Sequence, residues 1–148
     1  MTDSADRLAL ADLAARYALA ADRRDSALLV SLFAPDAVVV LPTALAGPGG
    51  DTRIAGHQAI GRLLEPLARF VRTRHTVSQQ VPEFDGGTAT AQTYGEAHHI
   101  YQRGDALHDR ALTIRYLDAF ARTEQGWRFT RRELVVDWLT DHPISTLD

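Results

Sequence analysis

The most constraining feature of this sequence is the order of two hydrophobic patterns, helical in the first part of the chain and strand-like in the second. Between Asp6 and Ala21, apolar residues recur every three or four positions, which predicts a helix with one buried stripe. Four stretches rich in Thr, Val, Tyr, Phe and Trp come last, at Thr73–Phe84, Thr88–Tyr101, Ala111–Arg122 and Trp127–Leu139. This order predicts an α+β fold, in which N-terminal helices pack on one face of a curved antiparallel sheet.

Shorter elements are predicted between these two parts. Asp25 is placed to cap a second helix, which Pro35 should end. A third helix is expected over residues 60–70, interrupted or kinked at Pro66 because proline lacks the backbone N–H. The other elements expected here are a strand at Ala37–Leu41 and a Pro- and Gly-rich surface loop, a candidate pocket lid, at Pro42–Asp51.

Length and composition indicate a soluble globular chain without a nucleic-acid partner. The 148 residues are 45% hydrophobic and 24% charged, which are ordinary values for a globular domain. The net charge is −3 and the arginines are scattered, so no basic patch could neutralise a row of phosphates. The N-terminal residues MTDSADRLAL lack the pattern of a signal peptide. We therefore expect residues 1–148 to form one domain in the cytoplasm, with no membrane association.

The residue types that are missing exclude several kinds of catalysis. The chain has no cysteine and no lysine, since all 16 basic residues are arginine, which excludes thiolate nucleophiles and Schiff-base lysines. The histidines show no His-x-x-x-His pair for a metal, and no Gly-rich nucleotide motif or Gly-x-Ser-x-Gly elbow occurs. We therefore expect neither a metal nor another cofactor, which leaves acid–base chemistry by side chains.

Asp22 and His75 are the best candidates for that chemistry. Asp22 lies one turn beyond Tyr17 on or beside the buried stripe of the first helix, where an unpaired carboxylate would be costly to bury. His75 begins the alternation His75, Val77, Gln79, Val81 and should therefore share the inward face with the valines. An inward histidine is a natural partner for the carboxylate.

Two interpretations of this pair are open from the residues alone. A carboxylate bound to one ring nitrogen fixes the imidazole tautomer and stabilises the imidazolium, so the other nitrogen becomes a better base toward a bound substrate. Alternatively, Asp22 caps the turn into the second helix and His75 is a half-buried structural histidine.

Three segments carry a resemblance to a known family. They are RYALAADRRDSALLVSLFAPDAVVVLP near the start, RTRHTVS in the middle and RYLDAFARTEQGWRFTRREL near the end. In order and spacing they resemble the SnoaL-like family, of the fold shared by nuclear transport factor 2, scytalone dehydratase and ketosteroid isomerase. The resemblance spans nearly the whole chain and implies a cone-shaped sheet with a deep pocket. That fold hosts dehydratases, isomerases, cyclases, epoxide hydrolases and non-catalytic modules.

The resemblance also implies roles for individual residues. Asp22 and His75 fall where scytalone dehydratase and hexachlorocyclohexane dehydrochlorinase carry an Asp–His pair that removes a proton during elimination. Arg132 matches an arginine that lines the dehydrochlorinase site, and Tyr17 falls at the oxyanion-binding tyrosine of ketosteroid isomerase. Leu41 stands where that isomerase has its general-base aspartate, which disfavours the isomerase mechanism.

Further candidate pocket residues come from the strands. Small residues alternate with larger ones from Ala89 onward, so His99 should point inward and His98 outward. Tyr116 belongs to an RYLD segment that resembles an Arg-Tyr-x-Asp strand of the family, in which a structural ion pair is the alternative role. Trp138 is expected as an aromatic residue at the pocket rim.

These observations predict a cofactor-independent lyase or isomerase of dehydratase or cyclase type. Its expected substrate is a small hydrophobic molecule similar to a polyketide or terpenoid. The alternatives are a non-catalytic ligand-binding module and an accessory subunit like those of ring-hydroxylating dioxygenases, although those usually carry terminal extensions absent here. Sheet faces commonly pair in this fold, so we expect a homodimer, with a trimer as the alternative.

Overall fold

The computed structural model describes residues 4–146, in which helical elements come first and long strands last, as the hydrophobic patterns predict. The helices are α1 (Ser4–Arg23), α2 (Ser26–Ser31), α3 (Thr43–Ala46), α4 (His57–Ile60) and a 3₁₀-helix (Glu65–Arg69). The strands are β1 (Phe33–Val40), β2 (Arg53–Ala55), β3 (Arg72–Asp85), β4 (Thr88–Arg103), β5 (Ala106–Thr123) and β6 (Gly126–Ile144). The α+β prediction is therefore confirmed.

The strands form a six-stranded open sheet in the order β2-β1-β6-β5-β4-β3. Strands β3 to β6 pair antiparallel with their sequence neighbours, which confirms the predicted meander. The sheet as a whole is mixed rather than antiparallel, because β1 lies parallel to β6. A parallel neighbour requires a long connection, and here the whole chain from β2 to β5 separates the two strands.

Helix α1 packs on one face of the sheet, which we call the inner face. Its buried residues are those of the predicted stripe and form one core with inner-face residues: Leu10, Leu13, Ala14, Tyr17, Ala18, Ala20 and Ala21. Each fully buried leucine stabilises the fold by about 1.5–3 kcal/mol. Asp6 anchors the start of α1 by accepting hydrogen bonds from Trp127 Nε1 at 3.0 Å and Arg122 Nη2 at 2.6 Å. No helix within residues 4–146 is long and apolar enough to span a bilayer.

The predicted second helix is shorter than expected. Asp25 caps it, because one of its carboxylate oxygens accepts the backbone N–H of Leu28 at 2.9 Å. The helix ends at Ser31, and Pro35 lies within β1 rather than beyond the helix end. The strand tolerates this proline because the register with β6 is interrupted between Phe33 and Val38, where no regular ladder needs its missing N–H.

The predicted third helix is not continuous. The structure has one helical turn at α4, then turns, then the 3₁₀-helix that contains Pro66. Proline cannot donate the hydrogen bond of an α-helix interior, so the chain tightens into a short 3₁₀ piece at this point. The segment nevertheless delivers Leu67 and Phe70 to the protein interior side of the sheet, where both line a cavity.

Three register shifts decide which side chains face inward on β3 and β6. On β3, Val77 pairs with Gly95 but Gln80 pairs with Thr93, so one extra residue lies between them. Because of this bulge Gln80 faces inward and Val81 is 62% exposed, which corrects the predicted inward positions of Gln79 and Val81. A one-residue shift moves every following side chain to the opposite face.

Strand β6 contains the other two shifts. Thr130 is the extra residue between Phe129 and Arg131, so Arg132 faces inward and Arg131 outward. Asp137 is the extra residue between Val136 and Trp138, so Trp138 turns to the outer face.

Candidate active site

A mainly apolar cavity of about 130 Å³ lies between the end of α1, the 3₁₀-helix and the inner face of β3, β4 and β5. Seven of the eighteen residues that line it are leucines, from five parts of the chain. The polar side chains of the wall are Tyr17, Arg69, His75, His99, Arg110 and Tyr116. The small inner-face residue Ala97 leaves the space open, as the alternation on β4 predicts.

Asp22 and His75 form a hydrogen-bonded pair at this wall. Asp22 Oδ1 lies 2.7 Å from His75 Nδ1, and the side chains are 26% and 11% exposed. The backbone N–H of His75 also donates to the Asp22 carboxylate, at 2.9 Å to Oδ2, and Thr73 Oγ1 donates at 3.1 Å. The carboxylate is thus held by several donors, and the second ring nitrogen of His75, Nε2, is left for the cavity.

The local sequence explains how two residues 53 positions apart meet. Asp22 lies in the last turn of α1, which packs against β3. Strand β3 lies at the edge of the sheet, so no strand pairs with its outer side. The backbone N–H of His75 points to that side and donates to the Asp22 carboxylate. Arg24 then ends the helix in a left-handed conformation (φ 53°) and donates to the carbonyls of Leu67 and Phe70, which fastens the 3₁₀-helix beside the pair.

His99 is the second histidine of the cavity, as the alternation on β4 predicts. It is 8% exposed, stacks on Phe70 with ring centroids 4.6 Å apart, and its ring lies edge-on to His75 at 5.6 Å. Burial, together with the nearby His75, Arg110 and Arg69, lowers the pKa of His99 from 6.5 to about 4. Its imidazole is therefore neutral at pH 7, and its Nε2 has no hydrogen-bond partner within residues 4–146.

Tyr17 and Tyr116 face the same cavity with their rings edge to face, 5.6 Å apart. Burial raises the pKa of both phenols, so both hydroxyls stay protonated and can donate a hydrogen bond. The guanidinium carbon of Arg132 lies 4.3 Å from the Tyr17 ring centroid and 3.7 Å from that of Tyr116. This stacking fixes the two rings from behind.

Arg132 is fully buried and does not line the cavity. It forms two hydrogen bonds with Asp118, from Nε at 2.9 Å and from Nη2 at 3.1 Å. The pair lies beneath the tyrosines, so Arg132 supports the cavity wall instead of entering the cavity as predicted. The ion pair proposed as the alternative role of the RYLD segment is present, with Asp118 as its acidic partner.

The structure also shows where Trp138 and Leu41 lie relative to the cavity. Trp138 is 62% exposed and lies on the outer face, away from the cavity, because the bulge at Asp137 reverses the alternation from Arg132. Leu41 lines the cavity, so the position of the ketosteroid isomerase base is apolar here.

Sequence reasoning missed two charged residues of the wall, Arg69 and Arg110. Arg69 lies in the segment predicted as the third helix, and Arg110 lies just before the predicted start of its strand at Ala111. The register explains Arg110, since it is the direct cross-strand partner of His99. The observed strand begins at Ala106. If the predicted strand had also begun there, the alternation would have placed Arg110 on the inner face. Within residues 4–146, no three His, Asp or Glu side chains cluster as a metal site.

The comparisons with known proteins identify the family. A family model of the SnoaL-like domain matches residues 2–133. The chain belongs to the SnoaL-like domain family. No curated protein matches its sequence.

Several solved structures are similar to this SnoaL-like chain over nearly its whole length. A candidate aromatic ring hydroxylase from Novosphingobium aromaticivorans is 26% identical with a TM-score of 0.80, and the match covers 96% of each chain. A candidate scytalone dehydratase from the same organism is 24% identical, with a TM-score of 0.76 over 95% of this chain and 90% of that one. A type 2 hexachlorocyclohexane dehydrochlorinase is 17% identical, with a TM-score of 0.78 over 97% and 91%. The fold is therefore that of nuclear transport factor 2-like proteins.

Proposed function

We propose that this SnoaL-like protein is a cofactor-independent lyase or isomerase, of dehydratase or cyclase type, in which His75 is the general base and acid and Asp22 orients it. The observation that carries the proposal is the 2.7 Å contact between Asp22 Oδ1 and His75 Nδ1 at the wall of an apolar cavity. General acid–base catalysis requires a titratable group within reach of a bound substrate and held in one tautomer.

The proposed reaction uses the two ring nitrogens of His75 differently. Nδ1 carries the proton donated to Asp22, so the lone pair of Nε2 accepts a proton from an acidic C–H bond of the substrate. Asp22 stabilises the resulting imidazolium. The imidazolium then returns the proton, to a departing hydroxyl in a dehydration or to another carbon in an isomerisation. Proton transfer of this kind contributes about 10²–10⁴-fold in rate.

The proposed roles of the other wall residues follow from their protonation. Tyr17 and Tyr116 donate hydrogen bonds to a carbonyl oxygen of the substrate, where negative charge develops as the proton leaves. Neutral His99 supplies a further polar contact beside His75. The buried Arg132–Asp118 pair keeps both tyrosine rings in place.

The proposed substrate is a compact hydrophobic molecule, such as a one-ring fragment of a polyketide or terpenoid. The cavity of about 130 Å³ is close to the engineered apolar cavities of about 150 Å³ that bind benzene. A single six-membered ring therefore fits inside, and larger substituents extend toward the mouth. The similarity to a candidate aromatic ring hydroxylase supports a ring-shaped ligand.

A six-membered cyclic β-hydroxy ketone tests this function, because its dehydration to the conjugated enone needs only one base and one acid. The enone is followed by ultraviolet absorbance. In D₂O, deuterium uptake at the carbon between the carbonyl and the hydroxyl-bearing carbon is followed by NMR. We expect both signals from the wild type, and a much slower appearance of both in His75→Ala and in Asp22→Asn. Turnover that survives both substitutions would remove the pair from the mechanism.

The alternative is a ligand-binding module without chemistry or an accessory subunit, and the unpartnered Nε2 of buried His99 favours ligand binding in either case. The two alternatives separate in the same assay. A binding module shows saturable binding of the ketone with no enone and no deuterium uptake at any pH.

We also propose a cytoplasmic homodimer that pairs through the outer face of the sheet, where Tyr94 and Trp138 are exposed. Sedimentation equilibrium tests the assembly. A mass of two chains is expected, and a mass of three chains would indicate a trimer.

A further inference from the structure

Two arginines at the mouth of the cavity have no carboxylate partner. Arg69 and Arg110 line both the apolar cavity and a neighbouring open groove, so they lie where the two meet. Neither has a carboxylate oxygen within 4.0 Å in the part of the chain that the structure describes. Four other arginines on the strands do form ion pairs, namely Arg115, Arg122, Arg131 and Arg132.

The strand register shows which side chains are near enough to Arg110 to pair with it. Arg110 lies between His99 on β4 and Asp141 on β6 as their direct neighbour in the sheet. Asp141 is the one carboxylate close enough by register, but its two oxygens accept hydrogen bonds from Tyr101 at 2.6 Å and His108 at 3.0 Å. Asp141 lines the same groove as Arg110, but within the described residues neither it nor any other carboxylate lies within ion-pair distance of the Arg110 guanidinium.

Arg69 approaches the same place from the opposite wall. Its guanidinium carbon lies 4.8 Å from the centroid of the Phe70 ring, and Phe70 in turn stacks on His99. The two guanidinium groups thus converge on the side of the cavity that His99 and Phe70 form. Their positive charge contributes to the lowered pKa of His99, which is consistent with this placement.

We propose that Arg69 and Arg110 form a binding site for an anionic oxygen group of the ligand, foremost a carboxylate attached to the ring that occupies the cavity. The inference rests on the proposed function and narrows its substrate class from a hydrophobic molecule to a hydrophobic acid. The planar guanidinium fork matches the two oxygens of a carboxylate.

The site also orients the ligand. The His75 and His99 rings are 5.6 Å apart, and Arg110 is the cross-strand neighbour of His99. A carboxylate held at the mouth by the arginines therefore directs the ring of a small acid inward, toward His75. The reacting C–H bond is then on the ring or next to it, at a fixed distance from the carboxylate.

Benzoate and benzamide test the proposal, because they have the same ring and nearly the same shape but differ in charge. Their affinities are measured by NMR titration of the wild type, Arg69→Gln, Arg110→Gln and the double variant. We expect benzoate to bind about 10-fold or more tightly than benzamide, since hydrogen bonds to charged groups are worth that much. The double variant should lose this preference, because its affinity for benzoate should fall much more than its affinity for benzamide.

Arg74→Gln is the matched control. Arg74 is exposed and adjacent to His75 in sequence, but it points to the opposite face of β3, so its removal changes the net charge as much as either single substitution without touching the cavity. The control should keep the preference for benzoate. Equal affinities for benzoate and benzamide in the wild type, no saturable benzoate binding, or an equal loss in Arg74→Gln and the double variant would each overturn the proposal.

Binding and turnover separate this proposal from the proposed function. His75→Ala and Asp22→Asn should retain the preference for benzoate, because neither residue belongs to the arginine site. If that preference holds while turnover survives both substitutions, the acid–base mechanism fails and the anion site stands. If turnover depends on the pair but benzoate is not preferred, the anion site alone fails.

Discussion

An Asp–His pair and an Asp–Arg pair on the inner side of the sheet can each be compared with a similar pair on the outer side. The Asp–His contacts are almost equally short, 2.7 Å for Asp22–His75 on the inner side and 2.6 Å for Asp109–His98 on the outer. The difference lies in the surroundings. His75 faces an apolar cavity, whereas the side chain of His98 is 33% exposed and also lies 3.7 Å from Glu96. A short Asp–His contact therefore indicates catalysis only where a substrate can reach the second nitrogen.

The Asp–Arg pairs differ in the same way. Arg132 and Asp118 are completely buried beneath two tyrosines, while Arg115 and Asp137 form an equally well-directed pair at the outer surface. Water screens the outer pair and not the inner one. Equivalent contacts on the two faces should thus have very different consequences when they are removed.

The largest contrast is expected between His75 and His98. His75→Ala should lower kcat for the β-hydroxy ketone by about 10²–10⁴-fold, because the proton acceptor is lost. His98→Ala removes an equally short contact to aspartate and should leave kcat within about two-fold, as for most surface substitutions. Steady-state kinetics of both variants measures the contrast. Equal losses would show that the outer pair acts on the reaction as well.

A second contrast concerns stability. Arg132→Ala leaves the buried Asp118 carboxylate without its partner and should lower the free energy of unfolding by about 3–5 kcal/mol. Arg115→Ala breaks a pair at the surface, where water screens the charges, and should lower the free energy of unfolding far less. Urea denaturation followed by tryptophan fluorescence measures both. A small loss in Arg132→Ala would mean that the cavity wall does not depend on the buried pair.

Asp22→Asn and Asp109→Asn compare the two orienting carboxylates. Asn keeps the shape of Asp22 but removes the charge that stabilises the imidazolium, so kcat should fall by about 10–100-fold, as for other residues that orient a functional histidine. Asp109→Asn should not change kcat. Steady-state kinetics of both variants measures the difference, and an equal loss of kcat in Asp109→Asn would contradict it.

The remaining contrast is a pH dependence of stability caused by His99. Because its pKa is lowered to about 4 in the folded protein, the unfolded chain binds the proton first as the pH falls below 6.5. Stability should therefore decrease from pH 6.5 toward pH 4, and His99→Gln should reduce this decrease. Urea midpoints across this range measure it, with exposed Tyr94→Phe as control. An unchanged slope in His99→Gln would assign the dependence to other groups.

Hydrophobic periodicity predicts those features of this protein that depend on the regular geometry of a single helix or strand. Helix α1 buries the predicted stripe, Asp25 caps α2, and His99 faces inward while His98 faces outward. In each case the side chain direction follows from helix or strand geometry over a few residues. The partner of Asp22 was also predictable, because a carboxylate beside a buried stripe needs a donor.

The predictions that were wrong fall where the regular geometry is interrupted. Trp138 and Val81 lie on the outer face because a single extra residue precedes each of them in its strand. Pro35 lies within β1, although it was expected to end the second helix. Hydrophobic pattern does not show where a hydrogen-bond ladder admits an extra residue, because both registers bury apolar side chains.

The sequence by itself determined the order of helices and strands, the exclusion of lysine and cysteine chemistry, and the choice of Asp22 and His75 as the acid–base candidates. The tertiary structure alone decided that Arg132 lies beneath the tyrosines and that Arg69 and Arg110 meet at the cavity mouth. The physical reason is distance along the chain. Alternation and helical period fix side-chain directions locally, whereas strand register and bulges fix which distant side chains share one wall.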